Sequence, residues 1–230
     1  MSCSGILFDM DGVLCDSEPF ICEAACRMFR ERHGIAVSPS DFTPFVGTGE
    51  NRYLGGVAAK HGVTLDLEPD KARTYAIYLE IIRGRLRPLP GVGDLLRACR
   101  AAGLRLAVTS SADEVKVRGN LEEIGFPPEA FDAVVNGLMV ARRKPAPDLF
   151  LLAAERLRLA PAACLVVEDA PSGLRAAAAA GMAGLGVRSS FDDATLRAAG
   201  AAWTVRDPAE ACARLTEILD DVGRRPSVAP

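Results

Sequence analysis

The sequence predicts an α/β protein with a Rossmann-like, doubly wound parallel sheet and an inserted helical cap. From Leu89 onward, short apolar segments alternate with segments of helical periodicity, and repeated βα units of this kind form parallel sheets covered by helices. One apolar strand at residues 6–8 instead precedes residues 17–88, which have helical periodicity and no convincing strand. Because a lone strand needs partners, we assign it to the later sheet. The predicted core is residues 1–16 and 89–230, and residues 17–88 are the predicted cap.

The predicted cap begins with an amphipathic helix. Ser17 is positioned to cap a helix that extends to about Arg32, and Gly34 is well placed to end it. Two further helices are predicted over residues 50–60 and 69–83.

The predicted core elements follow a return hinge at residues 89–91. Helices are predicted over 93–102, 112–124, 146–157 and 173–180, and strands over 104–109, 133–135, 164–167 and 183–187. The tail from Gly223 onward is expected to fray.

Composition restricts the class of partner. With a net charge of -3, the chain has no electrostatic reason to bind nucleic acid. No apolar run approaches the roughly 18 residues that span a bilayer, and the first residues lack a signal segment, so no membrane contact is expected within this segment. The 7 cysteines show neither CxxC pairs nor zinc-ligand spacing, which favours a reducing compartment.

Two carboxylates, Asp9 and Asp11, follow the first predicted strand, and Gly12 allows the backbone to turn. Carboxylates this close repel each other unless a proton, a base or a divalent cation offsets the charge. Taken alone, the pair could simply form a turn at the end of the strand. Polar residues also follow later predicted strands: Ser110 and Ser111, Lys144, and the pair Glu168 and Asp169.

Because the carboxyl ends of parallel strands meet at one edge of a sheet, these side chains are expected around one site. A cation held by Asp9, Glu168 and Asp169 would suit phosphoryl chemistry, with Lys144 and Ser110 holding the other phosphate oxygens. The alternative is that the serine forms a turn, the lysine is solvated and the acidic pair caps the next helix.

Four segments resemble the four motifs of the haloacid dehalogenase superfamily: FDMDGVLCDSE at 8–18, TSSAD at 109–113, KPAPDLF at 144–150 and VVEDAPSGLRAAAAAGM at 166–182. The resemblance implies that Asp9 is a nucleophile that becomes an aspartyl-phosphate, and that Asp11 is first the general acid and then the general base. The substrate would be a small phosphorylated metabolite. The resemblance further implies phosphoryl binding by Ser110, Ser111 and catalytic Lys144, and a Mg²⁺ ion held by Asp9, the Asp11 backbone carbonyl, Asp169 and Glu168.

The helical insertion resembles the mobile cap of the phosphoglucomutase-like branch, which closes over the site. Ile21 stands where the mutases of that branch carry a histidine, and Glu50 stands where a substrate-binding arginine is expected. These departures disfavour a sugar-phosphate mutase. Haloacid dehalogenation is disfavoured as well, because Asp11 and a full set of metal ligands point to phosphate.

A narrower similarity is to the stromal dehalogenase-like domain of the suppressor-of-quenching family of plant and algal chloroplast proteins. It is carried by TPFVGTGENRYLGGVA, SSADEVKVRGNLEEIGF and RKPAPDLFLLAAERL. It implies that the chain is one domain of a longer, membrane-anchored photoprotection protein and that the other domains of that protein are possible partners. The expected location is then the chloroplast stroma; without this similarity we expect the cytoplasm. Two functions stay open: a Mg²⁺-dependent phosphatase of a small phosphate monoester, and a non-catalytic binding or regulatory domain.

Overall fold

A computed structural model of the protein describes residues 3–224. The strands are β1 (Gly5–Phe8), β2 (Arg105–Thr109), β3 (Ala133–Val135), β4 (Cys164–Glu168), β5 (Ala183–Val187) and β6 (Ala201–Val205). They form one parallel six-stranded sheet in the order β3-β2-β1-β4-β5-β6. Successive side chains of β1 enter two separate hydrophobic clusters, Ile6 and Phe8 in one and Leu7 in the other. Helices therefore cover both faces, and the predicted fold class is confirmed.

From β2 to β5 the helices alternate with the strands, as predicted. The helices are α1 (Glu18–His33), α2 (Pro39–Phe42), α3 (Glu50–Lys60), α4 (Leu67–Ile82), α5 (Val92–Ala101), α6 (Glu114–Glu123), α7 (Asp148–Leu157), α8 (Pro171–Ala179), α9 (Asp193–Ala198), α10 (Pro208–Ala213) and α11 (Leu215–Arg224). No helix within residues 3–224 has the length and apolar character needed to cross a membrane.

The first strand lies inside the sheet, as its wholly buried sequence predicts. β1 pairs in parallel with β2 on one side and β4 on the other, with Phe8 opposite both Val108 and Val167. The strand order changes direction at β1, and ligand sites of open α/β sheets form at the carboxyl ends of strands at such a point. The residues that directly follow Phe8 therefore occupy the position where chemistry is expected.

The helices α1 to α4 lie between β1 and β2 in sequence, and α1 packs along α4. The chain leaves and re-enters the sheet side by side, since Cys15 forms an antiparallel bridge with Pro88 and the Leu89 amide donates to the Leu14 carbonyl at 2.9 Å. One hydrophobic cluster continues from these helices to the sheet. The division into cap and core at residues 17 and 88 stays a prediction.

The start of α1 shows how tertiary contacts can replace a local cap. Ser17 occupies the predicted N-cap position, but its hydroxyl donates to the Asp11 carboxylate and caps no helix amide. The charged carboxylate is a strong acceptor, so the Ser17 hydroxyl is directed at Asp11, and its oxygen accepts no amide of the first helical turn. Gly34 ends the helix in the left-handed conformation, with a φ of 68°, as predicted.

The last part of the described chain was not predicted. The strand β6 and the helices α9 to α11 follow the last predicted element, and the six-residue helices α9 and α10 are too short to show clear periodicity. Gly223 and Arg224, the first two residues of the tail expected to fray, instead end α11. Residues 225–230, the rest of that tail, lie outside the described residues.

Candidate active site

Asp9 stands at the carboxyl end of β1 beside a buried lysine. Its amide donates to the Val167 carbonyl at 2.9 Å, which extends the strand pairing by one residue. The Lys144 ammonium lies 2.5 Å from Asp9 Oδ1 and also donates to the Thr109 carbonyl at 3.1 Å. It forms an ion pair at 2.6 Å with Glu168 Oε1, outside hydrogen-bond geometry. One ammonium therefore joins the ends of three adjacent strands.

Three buried carboxylates, those of Asp9, Glu168 and Asp169, offer oxygens that lie within 4.8 Å of one another. Burial raises the pKa of Asp9 and of Glu168 despite the attraction of Lys144. Burial, together with the charge of Asp9, raises the pKa of Asp169 to about 7. One ammonium does not neutralise three carboxylates, and a hard cation prefers such oxygen ligands. The residues present therefore fit a Mg²⁺ ion.

The carboxylate of Asp11 does not belong to this cluster of three. Its Oδ2 lies 2.8 Å from the ammonium of Lys116, and its Oδ1 accepts the hydroxyl of Ser17. The Lys116 side chain is only 5% exposed and comes from α6. The sequence predicts this helix, but no role was assigned to Lys116 from the sequence. Asp11 could thus serve the predicted ion only through its backbone carbonyl, as the family resemblance implies.

The two serines after β2 lie at the same carboxyl edge of the sheet as Asp9 and Glu168. The Ser110 amide donates to the Val135 carbonyl at 3.0 Å, and its hydroxyl oxygen accepts the Ala112 amide at 3.1 Å. The hydroxyl hydrogen of Ser110 is therefore still available as a donor. The buried hydroxyl of Ser111 has no hydrogen-bond partner among the described residues. Both groups can donate to the oxygens of an anionic ligand.

Two glycines provide the space that the acidic residues occupy. Gly12 has a φ of +75°, and a Cβ at this position would lie 2.0 Å from Asp169 Oδ2. A Cβ on Gly173, at the start of α8, would lie 1.9 Å from Glu168 Oε1. The local backbone therefore approaches both carboxylates more closely than any side chain would allow.

A serine pair, Ser189 and Ser190, follows β5 after Arg188 and supports the site, and sequence reasoning missed it. The Ser190 hydroxyl donates to Asp169 Oδ2 at 2.5 Å, and the Ser189 hydroxyl donates to the Gly12 carbonyl at 2.6 Å. The available signal was the same as for Ser110, namely hydroxyl residues at the end of an apolar strand. The Ser190 bond orients the Asp169 carboxylate, and the Ser189 bond holds the Gly12 carbonyl beside it.

A cavity of about 750 Å³ lies between the carboxyl ends of the strands and the helices α1 to α3. All seven sequence-predicted site residues line it: Asp9, Asp11, Ser110, Ser111, Lys144, Glu168 and Asp169. The insertion contributes a second set of lining residues, among them Glu18, Ile21, Val46, Glu50 and Tyr53. The cavity therefore has one wall at the strand ends and another under the helices.

Comparison with known proteins agrees with the motif resemblance. A family model described as haloacid dehalogenase-like hydrolase matches residues 3–181. The chain is 42% identical over 203 residues to the chloroplastic protein suppressor of quenching 1 of Arabidopsis thaliana. That match covers 86% of this chain but only 19% of the Arabidopsis protein.

Relatives of similar length give a consistent result. Hexitol phosphatase A of Escherichia coli (strain K12) is 34% identical over 198 residues, covering 84% of this chain and 86% of that protein. The crystal structure of CbbY from Rhodobacter sphaeroides in complex with phosphate has a TM-score of 0.81 at 25% identity and covers 92% of this chain and 96% of that one. The crystal structure of a putative β-phosphoglucomutase from Thermotoga maritima has a TM-score of 0.76 at 31% identity and covers 94% of this chain and 99% of that one. These matches confirm the family resemblance and the phosphoglucomutase-like branch that the helical insertion indicates.

Proposed function

This chain belongs to the haloacid dehalogenase-like hydrolase family, and we propose that it is a Mg²⁺-dependent phosphatase of small sugar or polyol phosphates. The observation that carries the proposal is the contact between Asp9 and Lys144 beside Glu168 and Asp169. A carboxylate can attack phosphorus when cations offset the repulsion between the two anions. The polyol class is suggested by the similarity to hexitol phosphatase A.

In the first step, a carboxylate oxygen of Asp9 forms a bond to phosphorus and the bond from phosphorus to the leaving oxygen breaks. Lys144 and the hydroxyls of Ser110 and Ser111 hold the phosphoryl oxygens and stabilise the charge that develops on them. Asp11, as general acid, gives its proton to the leaving oxygen. The products of this step are the free alcohol and an aspartyl-phosphate on Asp9.

In the second step, Asp11 acts as general base. It takes a proton from a water molecule whose oxygen attacks the phosphorus of the aspartyl-phosphate. The bond from phosphorus to Asp9 breaks, which releases inorganic phosphate and restores the carboxylate. For either step, Asp11 must leave its present contacts with Lys116 and Ser17.

The side chains of Asp9, Asp169 and Glu168 and the backbone carbonyl of Asp11 would hold the ion. When bound, Mg²⁺ polarises a phosphoryl oxygen and offsets the charge of the carboxylates. The cluster of three buried carboxylates supports this assignment.

We also propose that residues 17–88 act as a cap that closes over the cavity and sets substrate choice. Ile21 lines the cavity, and its aliphatic side chain has no group to exchange protons, which argues against a mutase. The 42% identity to the Arabidopsis chloroplast protein supports a stromal location, as one domain of a longer photoprotection protein.

The test is hydrolysis of p-nitrophenyl phosphate with and without Mg²⁺, followed by a panel of sugar and polyol phosphates. We expect turnover that requires the ion and that is lost in Asp9→Asn. An absence of turnover above background across the panel would contradict the proposal and favour the non-catalytic binding domain. A cellular role that survives Asp9→Asn would favour the same alternative.

A further inference from the structure

Arg143, the residue directly before Lys144, binds a buried acid of the core. Its Nη2 donates to Asp113 Oδ1 at 3.3 Å, and its Nε donates to the Gly137 carbonyl at 3.3 Å. Asp113 occupies the N-cap position of α6, yet its side chain caps no amide of that helix, and it is only 4% exposed. A buried carboxylate needs partners of opposite charge. The segment that carries Lys144 supplies one of them.

The second cation comes from the helical insertion. The Lys71 ammonium, on α4, lies 3.2 Å from Asp113 Oδ2. The Lys71 side chain is 11% exposed, and it also donates to Asn51 Oδ1 at 3.1 Å and to Glu68 Oε1 at 3.2 Å. Asp113 therefore uses one oxygen for the core and the other for the insertion. Its ion pair with Lys71 exists only while the core and the insertion stay in contact.

Two glycines make room for the Arg143 guanidinium between the core and the insertion. A Cβ on Gly49, which has a φ of +84° and precedes α3, would lie 1.8 Å from Arg143 Nη1. A Cβ on Gly137 would lie 2.9 Å from Arg143 Nε and 2.2 Å from the Ser111 carbonyl oxygen. The guanidinium therefore lies against the backbone of the insertion on one side and, on the other, against a core segment packed on Ser111.

The three linked charges stand outside the cavity. Among the described residues that line it, Lys144 and Ser111 occur, whereas Lys71, Asp113 and Arg143 do not. An effect of Lys71 on turnover would therefore have to be transmitted through the position of other groups. The path is short, because Arg143 is the chain neighbour of Lys144 and packs on the segment beside Ser111.

We propose that Asp113 is a positioning residue that couples the docking of the helical insertion to the segment that carries Lys144. With the insertion docked, Lys71 fixes Asp113, and Asp113 in turn fixes Arg143. Because Arg143 and Lys144 are consecutive, the ammonium is then held beside the proposed nucleophile. When Lys71 withdraws, Asp113 keeps a single cation and the segment loses its link to the insertion. The proposal rests on the phosphatase function proposed above and states how the insertion controls that site.

The experiment replaces Lys71 on the insertion and measures the response of the core. Lys71→Met removes the charge, and we expect kcat for p-nitrophenyl phosphate with Mg²⁺ to fall by about tenfold. Hydrogen exchange of the backbone amides of residues 136–147, followed by mass spectrometry, should become about tenfold faster. Lys71→Arg keeps the ion pair and should retain kcat within about twofold. If circular dichroism shows that Lys71→Met does not fold, Lys71→Gln takes its place.

Lys60→Met is the matched control. Lys60 also lies on the insertion, but its partner Asp41 belongs to the insertion too, so this ion pair does not reach the core. The substitution removes the same charge from the same part of the chain. It should change neither kcat nor the hydrogen exchange of residues 136–147.

A double-mutant cycle tests the link through Asp113. Lys71→Met and Arg143→Met should together lower kcat by less than the product of their separate effects, because both act through the same carboxylate. Effects that simply multiply would show that the two cations act independently, and they would overturn the coupling.

Three other results would also overturn the inference. Folded Lys71→Met could keep the wild-type kcat and exchange, Lys71→Arg could fail as Lys71→Met does, or Lys60→Met could accelerate the same exchange equally. If the wild-type protein hydrolyses neither p-nitrophenyl phosphate nor any phosphate of the panel, the phosphatase proposal fails, and the exchange measurements decide the coupling separately. Faster exchange of residues 136–147 in Lys71→Met but not in Lys60→Met supports the coupling, and unchanged exchange overturns it.

Discussion

The Lys144 ammonium lies 2.5 Å from Asp9 Oδ1, although the two residues are 135 positions apart in the chain. The lysine side chain is 6% exposed, and it also contacts Glu168. Lys144 pairs with both Asp9 and Glu168, so removal of its ammonium would leave two buried carboxylates without their cation. The contact therefore serves both stability and the proposed chemistry.

Lys144→Met should lower both activity and stability. Breaking a buried ion pair from one side typically destabilises a protein by about 3 to 5 kcal/mol, because the partner charge stays buried. We expect a loss of this size in urea unfolding without Mg²⁺, and a loss of p-nitrophenyl phosphate turnover of about a hundredfold or more. Lys60→Met is the control, since Lys60 is 57% exposed in its ion pair with Asp41 and should contribute under about 1 kcal/mol. Equal unfolding curves for the two variants would contradict a stabilising role of the buried Lys144 ion pairs.

Asp9→Asn should abolish turnover without destabilising the fold. The amide cannot act as the nucleophile, so kcat should fall by at least about a thousandfold. The substitution also removes one of three crowded carboxylates while keeping an acceptor for Lys144. Differential scanning calorimetry at pH 8 without Mg²⁺ should therefore give a melting temperature no lower than that of the wild-type protein. A marked decrease would show that Asp9 is needed for structure.

Gly12→Ala should weaken Mg²⁺ binding. The new Cβ would lie 2.0 Å from Asp169 Oδ2, so the carboxylate must move out of the cluster. We expect about tenfold weaker binding by calorimetry, together with about 1 to 3 kcal/mol of destabilisation from the positive φ. Gly34→Ala is a matched control, since Gly34 also has a positive φ of 68° but nothing within 4 Å of a Cβ. It should show the strain alone, and a parallel loss of Mg²⁺ affinity there would refute this explanation.

Mg²⁺ binding should strengthen as the pH rises from 6 to 8. Burial and the charge of Asp9 raise the pKa of Asp169 to about 7, so below that pH the metal-free protein keeps a proton on this carboxylate. Because its pKa is higher in the folded than in the unfolded state, Asp169 also makes the metal-free fold less stable as the pH rises from the ordinary aspartate range to about 7, above which the loss is complete. Mg²⁺ must displace the proton at pH 6 but not at pH 8, so we expect about tenfold tighter binding at pH 8. Calorimetry at both values tests this, and constant affinity would contradict it.

Much of the fold could be predicted because its signals are local. The apolar run of β1 requires cover on both faces, and β1 belongs to the sheet of the later βα units, as predicted; its place between β2 and β4 was not predicted. Gly34 ends α1 because glycine adopts the left-handed conformation without strain. The strand β6 and the short helices α9 and α10 were missed, because segments of five or six residues carry too little periodicity.

The sequence by itself determined which residues would meet at the carboxyl edge of the sheet. Asp9 and Ser110 each directly follow a strand of one sheet, and Glu168 ends another. Parallel pairing of these strands therefore brings the three residues together, independently of their side-chain conformations. Only the tertiary structure decided that Lys116 pairs with Asp11 and that Glu50 is buried with a free oxygen. Helical periodicity fixes the face of a helix, but the group opposite that face depends on how distant elements pack, and no local pattern encodes this.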